Sequence, residues 1–200
     1  MPDSKNSMTT VRPGGWAVWF TGLPGCGKST LAKAVGRVLE ERGASVIHLE
    51  MDARRKVYFP TPTYSPEERT QAYERFIREA ADLVAQGHGV LMDGTAHRLA
   101  VRTAARNRIR RFAEVFIRCP LDVAMARERG RPEGLVMAGL YEKALDRQRT
   151  GREHPGLGQV IGVDVPFEEN PDAECVVDGA VSTIDQARDQ VLRFLEKWFS

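Results

Sequence analysis

The stretch Gly22-Leu23-Pro24-Gly25-Cys26-Gly27-Lys28-Ser29 has the spacing G-x-x-x-x-G-K-[ST], and its flanks narrow the possible folds sharply. The apolar run Trp16-Ala17-Val18-Trp19-Phe20 before it reads as a buried strand. Leu31, Ala34, Val35, Val38 and Leu39 after it recur at helical spacing. Strand, glycine-rich loop and helix together predict a phosphate cradle. The glycines let successive N–H groups converge on phosphate oxygens, and the opening helix adds its unpaired N–H groups and positive dipole end. On this reading Gly22 to Thr30 bind the phosphates of ATP, Lys28 reaches the β- and γ-phosphates, and the Ser29 hydroxyl sits on Mg²⁺.

The rest of the chain alternates strands and helices. Strands are expected at Ser45–Leu49, Val90–Met92, Glu114–Ile117 and Glu174–Val177. Ser65, Pro66 and Glu68 form a capping-box start for a helix running through Phe76 to Val84, and Leu99–Phe112 reads as the next helix. Pro120 and Asp122 open another toward Arg129, a further one is expected near Leu140–Arg149, and Ser182 caps the last. Tyr58–Thr63, interrupted by prolines, must be loop, and Gly151–Pro171 is irregular. This order predicts a three-layer α/β domain of the P-loop nucleoside-triphosphate kinase type, with a five-stranded, mostly parallel sheet and a mobile lid. Residues 16–200 are expected to form one such domain behind a flexible tail, residues 1–15, which is polar and lacks the apolar centre of a signal peptide.

Composition excludes other classes. A formal charge of +2 over 200 residues is too small to imply a nucleic-acid or membrane partner. No apolar run approaches the ~20 residues needed to span a bilayer. Cys26, Cys119 and Cys175 form no C-x-x-C pair, and the 4 histidines show no H-E-x-x-H spacing, so disulfide and zinc sites are not expected and a reducing cytoplasm fits.

In a parallel α/β sheet, ligands lie beyond the carboxyl ends of the strands. Glu50-Met51-Asp52 follows the second strand and Asp93-Gly94-Thr95 the third. Asp52 is the expected general base, Glu50 supports the metal or an arginine, and Asp93 is a second acid on the Mg²⁺ side. Arg54, Arg55, Arg69 and Arg98 cluster in the same half and suit an anionic substrate. Arg127, Arg129, Arg131, Arg147, Arg149 and Arg152 surround flexible residues, as a lid over ATP requires, with Arg127 placed on the nucleotide.

Taken in order, these segments resemble the adenylyl-sulfate kinases, P-loop enzymes that phosphorylate the 3′-hydroxyl of adenosine 5′-phosphosulfate with ATP. Trp19 to Thr30 is similar to W-L-T-G-L-S-G-A-G-K-S-T, Leu49 to Arg55 stands at L-D-G-D-N-V-R, and Tyr64 to Arg69 is similar to F-S-x-x-D-R. Glu114–Ile117 with Pro120–Val123 resembles E-V-F-V and P-L-E-V, Gly139–Ala144 matches G-L-Y-x-K-A, and Ile161–Glu168 is similar to T-G-I-D-x-P-Y-E. The resemblance implies that Asp52 activates the acceptor hydroxyl, that Arg55 and Arg69 bind the phosphosulfate end, and that Tyr64 stacks on the substrate adenine. It places Thr95 on the serine of an S-P motif, Lys143 on the lid lysine, and Val160 on a second adenine-stacking aromatic. It also implies a homodimer.

The chain departs from the family pattern at Met51, which replaces a glycine, at Ala72, which replaces an asparagine, at Val160, and in a longer segment between Arg127 and Gly139. These departures lie on the acceptor side. They leave two alternatives beside the adenylyl-sulfate kinase reading: a P-loop kinase for another small anionic, hydroxyl-bearing metabolite, and a non-catalytic nucleotide-binding module.

Overall fold

The computed structural model describes residues 14–130 and 139–200. The expected tail up to residue 13, and the part of the expected lid at residues 131–138 with Arg131, lie outside them. Five parallel strands, β1 (Trp16–Thr21), β2 (Val46–Glu50), β3 (Gly89–Asp93), β4 (Phe112–Arg118) and β5 (Cys175–Asp178), form one sheet in the order β2-β3-β1-β4-β5. Among the described residues, seven helices connect and cover them: α1 (Lys28–Glu41), α2 (Met51–Tyr58), α3 (Pro66–Ala85), α4 (Leu99–Arg108), α5 (Leu121–Arg129), α6 (Leu140–Thr150) and α7 (Ile184–Phe199).

Strands buried on both faces have no reason to alternate polar and apolar residues, and β1 and β3 are buried throughout. Their side chains still alternate between two cores. Trp16, Val18, Phe20 and Leu91 pack with α1 and α7 on one face. Ala17, Trp19, Val90 and Met92 pack with Phe76 and Ala80 of α3 and Ala105 of α4 on the other. Register then sets the site: Phe20 pairs with Asp93, and Asp93 with Glu50. The carboxyl ends of β1, β3 and β2 therefore finish side by side, delivering the glycine loop and the acidic segments to one edge. No helix among the described residues is long and apolar enough to cross a membrane.

The structure corrects several boundaries. Helix α2 was not expected. Its eight residues are too few for a period to show, and only Met51 and Arg55 are buried. Asp52 in its first turn and Arg55 and Lys56 in its last complement the helix dipole, and it stops short of Pro60. Helix α4 ends at Arg108, and Phe112 begins β4 rather than closing the helix. The last helix is capped by Thr183, not Ser182, in a complete capping box with Gln186. Its buried face carries Ala187, Val191, Leu192, Leu195 and Phe199, and Ile184 is exposed. At α3, Ser65 accepts from the Glu68 N–H, but the Glu68 carboxylate does not return to Ser65. It is used elsewhere, behind the cavity wall, where it binds Arg55, Thr63 and Tyr64.

Candidate functional site

The glycine loop leaves β1 and turns into α1 with Gly27 as a left-handed N-cap at φ 102°. Gly25 cannot be any other residue without disruption: at φ +85°, a Cβ there would lie 2.3 Å from the Ala124 carbonyl of α5. The loop is thus pressed against α5 from below, and the Tyr141 hydroxyl of α6 donates to the Pro24 carbonyl at 2.8 Å. The Lys28 ammonium donates to the Leu23 carbonyl at 2.9 Å and the Gly22 carbonyl at 3.3 Å, which holds it over its own loop. Cys26 is buried, and burial pushes its thiol pKa up, so the sulfur packs as a neutral group.

Beyond the strand ends lies a cavity of about 520 Å³. One side presents Lys28, Ser29, Glu50, Asp52 and Asp93. Asp52 sits in the first turn of α2 with its surface open to the cavity and protein on its other sides. Desolvation raises its pKa above the ordinary value, Lys28 opposes that, Asp93 and Glu50 reinforce it, and Arg55 opposes it again. Glu50 is 3.6 Å from Lys33. Asp93, 3% exposed, has its Oδ2 without a hydrogen-bond partner among the described residues, with His48 Nε2 3.7 Å away.

The opposite side is built around Glu68. Desolvation would raise this carboxyl, but hydrogen bonds from the Thr63 N–H and hydroxyl, the Tyr64 N–H and the Arg55 guanidinium outweigh it and hold the pKa below the usual range. These bonds fix Tyr64 in a left-handed conformation, φ 56°, with its ring 5.1 Å from the Arg55 guanidinium carbon. Arg69, also in the wall, donates to the Gln159 carbonyl at 2.8 Å. Thr95, Tyr73, His97 and Val160 complete this side. Met51 is buried rather than strained, because Gly94 on the neighbouring strand end leaves the room: a Cβ on Gly94 would meet the Met51 Cβ at 3.2 Å.

The fold brings together most of the residues expected at the site. Pro24, Lys28, Ser29, Glu50, Asp52, Arg55, Tyr64, Arg69, Asp93, Thr95 and Val160 all line the one cavity. Others stand elsewhere. Thr30, Arg98 and Lys143 are exposed and outside its wall, and Ala72 is buried in the core beneath α3. Arg127 donates to the Gly179 carbonyl at 2.6 Å, off the cavity. Arg147, expected to be free for a lid, is tied to Asp164 at 2.6 Å and to the Gly158 carbonyl at 2.9 Å. That clasp fixes the segment carrying Gln159, Val160 and Ile161, since Asp164 also accepts from the Val160 N–H. Sequence reasoning missed His97 and Tyr73 in the wall and Glu68 as the support behind it. His97 is two residues past a flagged strand end, Tyr73 looks like helix core, and Glu68 looks like a cap.

Three comparisons set this geometry among known proteins. Residues 14–178 match the family model described as adenylylsulphate kinase. The probable adenylyl-sulfate kinase of Archaeoglobus fulgidus is 34% identical over 163 residues, 82% of this chain and 95% of that protein. The adenylyl-sulfate kinase of Paraburkholderia xenovorans is 32% identical over 182 residues, 90% of this chain and 93% of that one. The Mycobacterium tuberculosis APS kinase, solved in complex with AMPPNP and APS, aligns with a TM-score of 0.75 at 29% identity, covering 92% of this chain and 99% of its own.

Proposed function

The chain belongs to the adenylylsulphate kinase family, and on that premise we propose that it transfers the γ-phosphoryl group of ATP to the 3′-hydroxyl of adenosine 5′-phosphosulfate. The observation that carries the reading is the two-sided cavity. A phosphate loop with Lys28 and Ser29 shares one cavity with an aromatic and arginine wall, and Asp52 lines that cavity within the influence of both Lys28 and Arg55.

Asp52 takes the proton of the acceptor hydroxyl as its oxygen attacks the γ-phosphorus in line with the departing ADP oxygen. A carboxyl whose pKa is raised is a better proton acceptor than an ordinary aspartate once ionised, and Lys28 nearby favours the ionised form. Lys28 exchanges its loop carbonyls for the β- and γ-phosphate oxygens. Arg55 arrives already paired with Glu68, so it acts as an oriented donor rather than a full unit of free charge, and Arg69 supplies more of the pull on the phosphosulfate end. Tyr64 offers one face to the adenine, with Val160 opposite as an apolar rather than a stacking contact.

The donor set fits Mg²⁺: Ser29 and Asp93 offer hard oxygens, one Asp93 oxygen is buried and unpartnered among the described residues, and Glu50 is within the same cavity. Bound there with ATP, the ion would neutralise charge between the β- and γ-phosphates. A homodimer and a cytoplasmic setting are further parts of this proposal; light scattering of the purified chain tests the first.

The acceptor is tested by measuring ADP release with adenosine 5′-phosphosulfate against a panel of nucleotide and sugar-phosphate alcohols. Strong stimulation by the phosphosulfate is expected, and stimulation by another compound alone would overturn the assignment. In the same assay Asp52→Asn is expected to lower turnover by about 10²–10⁴-fold with ATP binding retained. Near-normal turnover would remove Asp52 from the base role.

A further inference from the structure

The loop Gly94–His97 after β3 is held from several directions at once. The Trp19 indole donates to the Gly94 carbonyl at 3.0 Å, and the Thr21 hydroxyl donates to the Thr95 carbonyl at 2.6 Å. The Ala96 N–H donates to the Tyr73 hydroxyl of α3 at 2.7 Å, and Arg102 of α4 donates to the Ala96 carbonyl. The Glu168 N–H donates to the His97 carbonyl at 2.8 Å. Ala96 is fixed in this grip at φ 38°, a conformation that alanine does not adopt unaided. A short loop so fully tied, with strain at its centre, is a rigid mount for side chains. Two of its side chains, Thr95 and His97, line the cavity.

We propose that His97 is a specificity-determining residue that binds the anionic end of the acceptor as a neutral imidazole, presented by this locked loop. The inference rests on the acceptor wall described above and assigns His97 a role within it. The residue is 9% exposed and lines the cavity, and the hydrogen bond that ties it to the segment before β5 uses its backbone carbonyl, not the imidazole. The charged groups around it are Arg69 from α3, Arg98 at the N-cap of α4, Arg102 within α4, and Glu168 from the segment before β5. Arg102 is paired with Glu114, and Arg69 and Arg98 against Glu168 still give that end of the cavity a positive field that suits an anion. Burial, together with the arginines and against Glu168, pushes the His97 pKa down to about 4. At neutral pH the ring therefore adds an N–H donor without adding a further charge to a crowded cationic site, and it keeps that form across the physiological range.

Steady-state kinetics of wild type, His97→Phe and His97→Gln test this, using whichever acceptor the panel above identifies. The wild type alone decides whether that acceptor is adenosine 5′-phosphosulfate; the variants alone score His97. His97→Phe is expected to raise the acceptor KM by roughly 10- to 100-fold, the loss typical of one hydrogen bond to a charged group, with kcat and the ATP KM nearly unchanged. His97→Gln, which keeps a neutral donor, is expected to recover most of the affinity. The wild-type acceptor KM should show no step assignable to His97 between pH 5.5 and about 8. An unchanged acceptor KM in His97→Phe, or a step near pH 6.5 that disappears in His97→Gln, would overturn the inference. Equal rises in the ATP and acceptor KM would do so too, since they mark a general disturbance of the fold.

Discussion

At the scale of single residues, Asp52 links chemistry to stability. Its unfolded-state pKa is near 3.8, and desolvation raises it in the folded state. Between the two values the folded chain holds a proton that the unfolded chain has lost, so stability falls as pH rises through that window and stays lower above it. Asp52→Asn removes this partly desolvated charge and is expected to raise the thermal midpoint at pH 7. The gain should shrink as pH falls through the folded-state pKa and be gone below 3.8, where the wild-type carboxyl is neutral in both states; thermal melts of both proteins across that range check it. A variant that loses turnover and gains stability is the mark of a functional strain. Asp52 was legible as a site residue because an acid directly after a strand, next to a phosphate loop, has little reason to be there otherwise. Glu68 was not, because its local signal, a cap partner three residues after Ser65, pointed to a different use. The carboxylate instead satisfies Thr63, Tyr64 and Arg55, and only the return of that loop onto α2 brings those donors within reach.

At the scale of elements, the joint between α4, β4 and the segment before β5 has a fully buried ion pair at its centre. Arg102 and Glu114 are each 1% exposed and 3.0 Å apart, and Glu114 also accepts from Asn170 at 2.8 Å. Arg102 further donates to the Ala96 and Glu168 carbonyls, so the same guanidinium ties α4 to the locked loop. Removing one partner leaves a buried carboxylate with no counterion, at a cost of about 3–5 kcal/mol. Arg102→Met is therefore expected to lower the thermal midpoint by roughly 6–20 °C for a chain of this size. It should also raise the acceptor KM more than the ATP KM, because the phosphate loop is held independently by α5 and α6. Thermal melts and initial rates on the same preparation measure both. In sequence, Arg102 stands in a run with Arg106, Arg108, Arg110 and Arg111, and helical spacing alone gives no reason to single it out. What distinguishes it is Glu114 on the adjacent strand, a contact across twelve residues that no local pattern encodes.

At the scale of the whole molecule, the sheet joins two cores, and the cavity lies at the end of the strands that both cores hold in place. A nucleotide bound there stabilises the native state by mass action, by about 2.7 kcal/mol at a hundred times its dissociation constant. A non-hydrolysable ATP analogue with Mg²⁺ at that level is expected to raise the thermal midpoint by roughly 5–11 °C. Lys28→Ala should lose most of that shift, which differential scanning fluorimetry reads directly. An equal shift in both proteins would detach Lys28 from the nucleotide. The sequence by itself determined the parallel α/β order and the donor half of the site, because strand burial, helix period and the glycine spacing are encoded in consecutive residues. It also determined that Asp52, Arg55, Tyr64 and Arg69 belong near one another, through motifs that lie close in the chain. Only the tertiary structure decided which cations are free and which are spent. Arg127 and Arg147 are engaged by carbonyls and by Asp164, Arg55 by Glu68, and His97 is kept neutral among arginines from two helices. Charge and hydrogen bonding depend on distance in space, and the partners that settle them come from segments far apart in the chain.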